Sequence, residues 1–421
     1  MKASSIKRLT VALFILLALI FGGQVCRFAL YLVHDIPYGC DSRFRYGEIR
    51  CAHQGVNSFR IWNREMTLPG FAPWHRPDKV DVQIESGDTF VHAYPPWHTS
   101  MFYWYGWLSE RAYLVLLTLF FWACLCFIVW ECMKLAKARF GNYCFIAGLS
   151  LTLVVYYIDT CFMALNYGVF ILALLLLVNR ALEKNHNILA GIAWSVMMIK
   201  PQVGLLFGWP LFWRRRYLTI VTAVVICLVE TVVTSFLVHE SVIDLILQVP
   251  QIGGPYPKGL IAGCLKPILG SAAPIVVMAT FFILTGLATW GLRKYRDFLV
   301  CCIPVMLAIP VWTYSQPHDC VILLPALIIL LGNIFEMQKS SKWMPIRIFY
   351  CAAAICIAVW TLVVELNLVL HLFNLLNLRW EKIPFVIARI GLWVVSVLVF
   401  LVLLFRKEFE PKREGGSAAE I

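Results

Sequence analysis

The sequence predicts an all-α, polytopic integral membrane protein built as one domain. Three observations carry this. The 421 residues are 61% hydrophobic and only 14% charged, with a mean hydropathy of +0.77, whereas soluble domains are about half apolar and about a quarter charged. Apolar runs of membrane-spanning length recur along the chain, and in a bilayer such runs satisfy their own backbone only as helices. The basic residues behind a net charge of +12 fall in short clusters between those runs, as the positive-inside rule describes. No long basic stripe exists to track a phosphate backbone, which argues against nucleic acid as a partner.

The first apolar run, Leu9 to about Val33, is longer than a signal-peptide core and lacks a small-x-small cleavage site, so it reads as a retained first helix. A polar loop, 34–110, follows. It holds Trp62, Trp74, Trp97, Trp104 and Trp107, a residue type that favours the membrane interface, and predicts short helices on the outer surface. The stretch "YPPWHTSMFYWYGW", Tyr94 to Trp107, reads as the interfacial approach to the second helix. Helices follow at about 111–131, 143–159 and 166–180.

The next apolar stretch, 188–213, is broken by "IKPQ". Each half, about 13 residues, rises roughly 20 Å, short of a hydrocarbon core of about 30 Å. Pro201 interrupts the helix. The prediction is a re-entrant helical hairpin entering from the cytoplasm, with Lys200 at its tip. Further helices are expected at about 217–238, 272–291, 298–313, 320–336, 347–370 and 385–405, which gives about 11–12 membrane segments. Residues 1–405 form the membrane domain. Residues 406–421, polar with Gly and Ser, form a disordered cytoplasmic tail.

Each segment placed inside holds at least two basic residues, such as Lys134, Lys137 and Arg139, or Arg214, Arg215 and Arg216. The short outside loops 160–165 and 314–319 hold none. The alternation is complete only if 188–213 crosses twice or re-enters, and it puts both termini in the cytoplasm and 34–110 outside. Most of the 15 cysteines lie in apolar runs, where they act as small hydrophobes. Cys40 and Cys51 share the first loop. A disulfide in an oxidising compartment and two unpaired thiols both stay open.

Three polar constellations face the outer side. They are Asp41 with Arg43, Arg45 and Tyr46; Lys200 with Gln202; and "YSQPHD", Tyr314 to Asp319. Ionisable groups at membrane depth are expensive and mark functional sites. Each has a plainer reading. Asp41 and Asp319 suit helix caps, and Lys200 suits snorkelling to the interface. Glu230 and Glu365 read as structural partners of arginines such as Arg27 or Arg389. His34, Asp35 and Asp41 are the nearest approach to a metal-ligand spacing, and it is thin. Neither metal nor cofactor is expected.

The order of these motifs resembles glycosyltransferase family 87. The matching elements are Asp41, Tyr46, Gly55 with Ser58-Phe59, Tyr94-Pro95-Pro96, Asn166 in "ALNYG", Ala190-Gly191 through Lys200-Pro201-Gln202, and Tyr314, His318 and Asp319. The resemblance runs from residue 9 to about 335. It implies a GT-C fold and transfer of a mannose- or arabinofuranose-like sugar from a polyprenyl-phosphate donor to a glycan or glycolipid acceptor. The active site would face the extracytoplasmic side of a plasma or inner membrane. Asp41 is then the general base. Arg43, Arg45, Tyr46, Tyr94, Asn166, Lys200, Gln202, Tyr314, His318 and Asp319 are then donor-phosphate or substrate contacts, with Lys200 foremost where phosphate charge develops. The competing class is a polyprenyl-lipid or glycolipid transporter, for which broken helices and buried charges are also usual. The lack of an inverted repeat and the gathering of charge on one face favour the enzyme.

Overall fold

The computed structural model describes residues 3–34, 40–59, 71–73, 88–90, 94–141, 145–249, 267–268, 270–311, 317–337, 343–372 and 383–406. Helix α1 (Ala3–His34) is followed by α2 (Cys40–His53), then β1 (Phe71–Pro73) and β2 (Asp88–Phe90). The two strands pair in parallel, Phe71 opposite Asp88, and are the one departure from all-helix among the described residues. Next come α3 (Pro96–Phe102), a 3-10 turn (Tyr103–Trp107), α4 (Glu110–Phe140), α5 (Phe145–Ala164) and α6 (Gly168–Glu183). The broken stretch gives α7 (Asn187–Met197), α8 (Pro201–Gly204), a 3-10 turn (Leu205–Phe207) and α9 (Gly208–Trp213). Then follow α10 (Tyr217–Val238), α11 (Val242–Gln248), α12 (Ala273–Leu292), α13 (Phe298–Ala308), a 3-10 turn (Pro317–Leu323), α14 (Leu324–Glu336), α15 (Met344–Leu372) and α16 (Ile383–Arg406).

Seven helical spans among the described residues are long and apolar enough to cross a membrane, six within α1, α4, α5, α10, α12 and α15 and one, His318–Glu336, made of the 3-10 turn and α14 together. Others are apolar but short, such as Asn187–Met197 and Phe298–Ala308. Eleven residues rise about 16 Å, roughly half a hydrocarbon core. Against the expected 11–12 segments, the described residues hold seven spans of membrane-crossing length, with shorter apolar helices beside them. Burial sorts them. The α5 and α14 spans are 89% and 94% buried, the α10 span 17%, so α5 and α14 form the centre. The apolar face of α10, with Val221, Val225, Leu228, Val232 and Phe236, is exposed. Such a face suits lipid and not water.

The chain breaks before Pro201 and doubles back. The Nε1 of Trp194 on α7 donates to the Gly204 carbonyl at 2.9 Å, so the limbs pack on each other. Gly204 permits this: a Cβ there would lie 2.8 Å from the Met197 carbonyl oxygen. Arg216, past the second limb, donates to the side-chain oxygens of Asn185 and Asn187 at the start of the first. The chain thus returns to the level from which it left.

Two expectations are corrected or resolved. Cys40 and Cys51 lie on one helix, α2. Eleven residues of helix separate their Cα atoms by about 16 Å, whereas a disulfide needs about 7 Å or less. Cys51 is fully buried. Glu365 accepts from Arg27 Nη2 at 2.6 Å, the structural pairing expected of it. Gln24 and Asp159, not anticipated, complete that cluster. Trp62, Trp74, Asp35 and the 407–421 tail lie outside the described residues, as do the side chains of Arg389 and His34.

Candidate active site

Four separate stretches of chain deliver polar side chains to one point. The first is the start of α2. Asp41 lies in its first turn, where the helix dipole favours a carboxylate. The second is the link between α5 and α6. There Leu165 adopts a left-handed φ of 47°, a conformation that costs a branched residue energy and must be held by its surroundings. Ser42 Oγ holds it, donating to the Leu165 carbonyl at 2.5 Å. The turn presents Asn166, only 5% exposed.

The third stretch is the hairpin tip. A residue before proline is excluded from helical ψ, and Lys200 has φ −112° and ψ 81°. Pro201 restarts the helix at its first position, where its missing N–H costs nothing. The Lys200 carbonyl accepts from Val203 and Gly204 nitrogens at 2.9 and 2.8 Å. Trp97 Nε1 donates to the Met198 carbonyl at 3.0 Å, fastening α3 to this tip. The fourth stretch is the 3-10 turn before α14, with His318 and Asp319. It seats against α6 through Gly168, where a Cβ would run into the His318 carbonyl oxygen.

The four are joined by hydrogen bonds. Asn166 Nδ2 donates to Asp41 Oδ2 at 2.7 Å. Lys200 Nζ donates to Asn166 Oδ1 at 2.6 Å and to Asp319 Oδ1 at 2.6 Å. His318 Nε2 lies 4.0 Å from the same Asp319 oxygen. Lys200 does not snorkel: it is 5% exposed and ends on these two acceptors. Asp319 is occupied by the lysine. Formally the two carboxylates and one ammonium sum to one negative charge, with His318 neutral.

Behind Asp41 stands a second buried layer. Arg45 Nη1 donates to Glu48 Oε1 at 2.6 Å, its Nε donates to the Asp41 backbone carbonyl at 3.3 Å, and its guanidinium lies 4.5 Å from the Tyr94 ring centre. Burial works against the Arg45 charge, yet Glu48, Tyr94 and Asp41 hold its pKa above the ordinary value. Burial pushes the Tyr94 phenol well above its usual range, against the pull of Arg45, so Tyr94 is a neutral wall. Its ring stacks on His98 at 4.7 Å.

Not every expected contact is here. Arg43 pairs with Glu110 at 3.0 Å, both about two-fifths exposed, and leaves the network to Asp41. Tyr46 stacks on Tyr113 and donates to the Leu108 carbonyl, a packing role. Gln202 is half-buried two residues past Lys200. Tyr314 lies outside the described residues. Ser42 and Glu48 were missed as supports. The spacing of Asp41 and Glu48, seven apart on one helix face, was the available signal for the second.

The arrangement sets the Asp41 carboxylate at one end of a hydrogen-bonded chain and the Lys200 ammonium, shared with Asp319, at the other. No family model, no curated protein and no solved structure matches this chain.

Proposed function

We propose that this protein is a membrane glycosyltransferase of the GT-C type. It moves a mannose- or arabinofuranose-like sugar from a polyprenyl-phosphate donor to a hydroxyl of a glycan or glycolipid on the extracytoplasmic side, where the outer loop and hairpin tip meet. The observation that supports this is the joining of Asp41 to Lys200 and Asp319, residues far apart in sequence, in one network.

In this reading the acceptor oxygen attacks the anomeric carbon and its proton passes to the Asp41 carboxylate. A new carbon–oxygen bond forms. The bond from that carbon to the phosphate oxygen breaks, and its electron pair leaves on the phosphate. The product phosphate carries one charge more than the diester it came from. Lys200, with His318 beside it, is placed to meet that charge. All three cations have carboxylate partners; Lys200 is the one assigned to the phosphate because Asn166 joins it to Asp41.

The test is direct. The purified protein is incubated with a set of polyprenyl-phosphate sugars and candidate acceptors, and free polyprenyl phosphate is measured. Acceptor-dependent release with one donor is expected. No release with any donor, together with movement of labelled lipid between leaflets of a vesicle, would replace the enzyme with a carrier.

A further inference from the structure

Asn166 has no acceptor capacity to spare for a substrate. Its Nδ2 donates to Asp41 Oδ2, and its Oδ1 accepts from both Lys200 Nζ and the Gly168 backbone nitrogen at 3.2 Å. That uses both carbonyl lone pairs. The orientation of the amide follows from chemistry, because an ammonium only donates and a carboxylate only accepts.

A carboxylate and a lysine this close would otherwise pair directly. Such a pair would place base and cation at one point. In glycosyl transfer they must act on two different oxygens, the attacking one and the leaving one, both bonded to the same carbon. We infer that Asn166 is a positioning residue: its amide is the spacer that keeps Asp41 and Lys200 bonded into one unit yet apart. This inference rests on the reading of Asp41 as the base.

The residue type is specified by this task. An aspartate at 166 would still accept from Lys200 but would set oxygen against the Asp41 carboxylate. An alanine would leave Asp41 and Lys200 to collapse together. The left-handed Leu165 and its bond from Ser42 fix the backbone from which the amide projects.

Two measurements test the spacer. In sugar transfer, Asn166→Ala should lower kcat by about 100-fold, the scale of a misplacement near 1 Å, with the donor KM within about twofold. Asn166→Asp, nearly isosteric, should lose at least as much kcat. A rise in donor KM with kcat intact would make Asn166 a donor contact, and wild-type turnover in Asn166→Asp would overturn the spacer. The second measurement needs no activity. Thermal unfolding of Asn166→Ala, Asp41→Ala and the double variant should be non-additive, because the residues share one bond. Additive shifts would overturn the bridge. If the wild type transfers no sugar from any donor, the enzyme reading fails, and the unfolding cycle alone decides whether the bridge exists.

Discussion

Asp41 is where the catalytic and capping readings give opposite outcomes for one substitution. If it is the general base, Asp41→Asn removes the basicity and keeps the shape, and turnover should fall by about 10²–10⁴-fold. If it only supports the start of α2, asparagine serves about as well and turnover at saturating donor and acceptor stays near wild type. That second result would move the base to Glu48 or Asp319. Lys200→Ala should weaken donor use roughly 10- to 100-fold, the worth of a charge-assisted hydrogen bond, and Lys200→Arg should recover part of it, because a fork-shaped cation fits the same anion differently. A donor titration unchanged by Lys200→Ala removes its role at the phosphate. The identities of Asp41, Lys200, His318 and Asp319 were legible because charges flanking apolar runs are rare and costly. Their partners were not. Nothing in the sequence distinguishes Arg45, folded in on Glu48, from Arg43, turned out to Glu110, since that depends on which face of α2 packs against α4.

At the scale of elements, the hairpin and the close contacts around it hold the site. The break at Pro201 was legible from proline chemistry alone, and the limits of α10, Tyr217–Val238, agree with the apolar run. The division of the 298–313 run into Phe298–Ala308 and a 3-10 turn at Ile309–Val311 was not, because hydropathy does not report where a helix tightens. The roles of the glycines were also hidden, since they depend on what lies opposite. Gly168→Ala is the informative change. Its methyl would meet the His318 carbonyl and, at 2.8 Å, the Cys161 sulfur. Backbone cannot yield as a side-chain tip can, so the His318–Asp319 turn must move. Overpacking of this kind costs about 1–3 kcal/mol. The expected outcome is a lower unfolding temperature with turnover lost at a temperature where the variant is still folded. Normal turnover there would show that the turn need not sit where Gly168 places it.

The whole molecule is a central pair, α5 and α14, wrapped by helices that show apolar faces outward, and its orientation rests on the Lys/Arg alternation. A cysteine introduced near position 80 should be labelled by a membrane-impermeant reagent from outside intact cells; labelling only after the cytoplasmic side is opened would invert the molecule and the site with it. Helix α1 is tied to the rest by the Arg27 cluster, which joins it to α5 through Asp159 and to α15 through Glu365. Breaking such a buried pair by removing one partner costs about 3–5 kcal/mol. Two adjacent glycines in α1 measure this without touching a charge. Nothing lies within 4 Å of a Cβ built on Gly22, whereas one on Gly23 would lie 2.9 Å from Glu365 Oε2. Gly22→Ala should therefore be neutral or raise the unfolding temperature, since alanine gains up to about 1 kcal/mol over glycine in a helix. Gly23→Ala makes the same helix gain but pushes the Glu365 carboxylate away from Arg27, and its unfolding temperature should fall. Glu365 is the far end of a flexible side chain and moves readily, but moving it is what breaks the pair. Equal shifts of the same sign for the two variants would mean that the cluster does not hold α1 to α15.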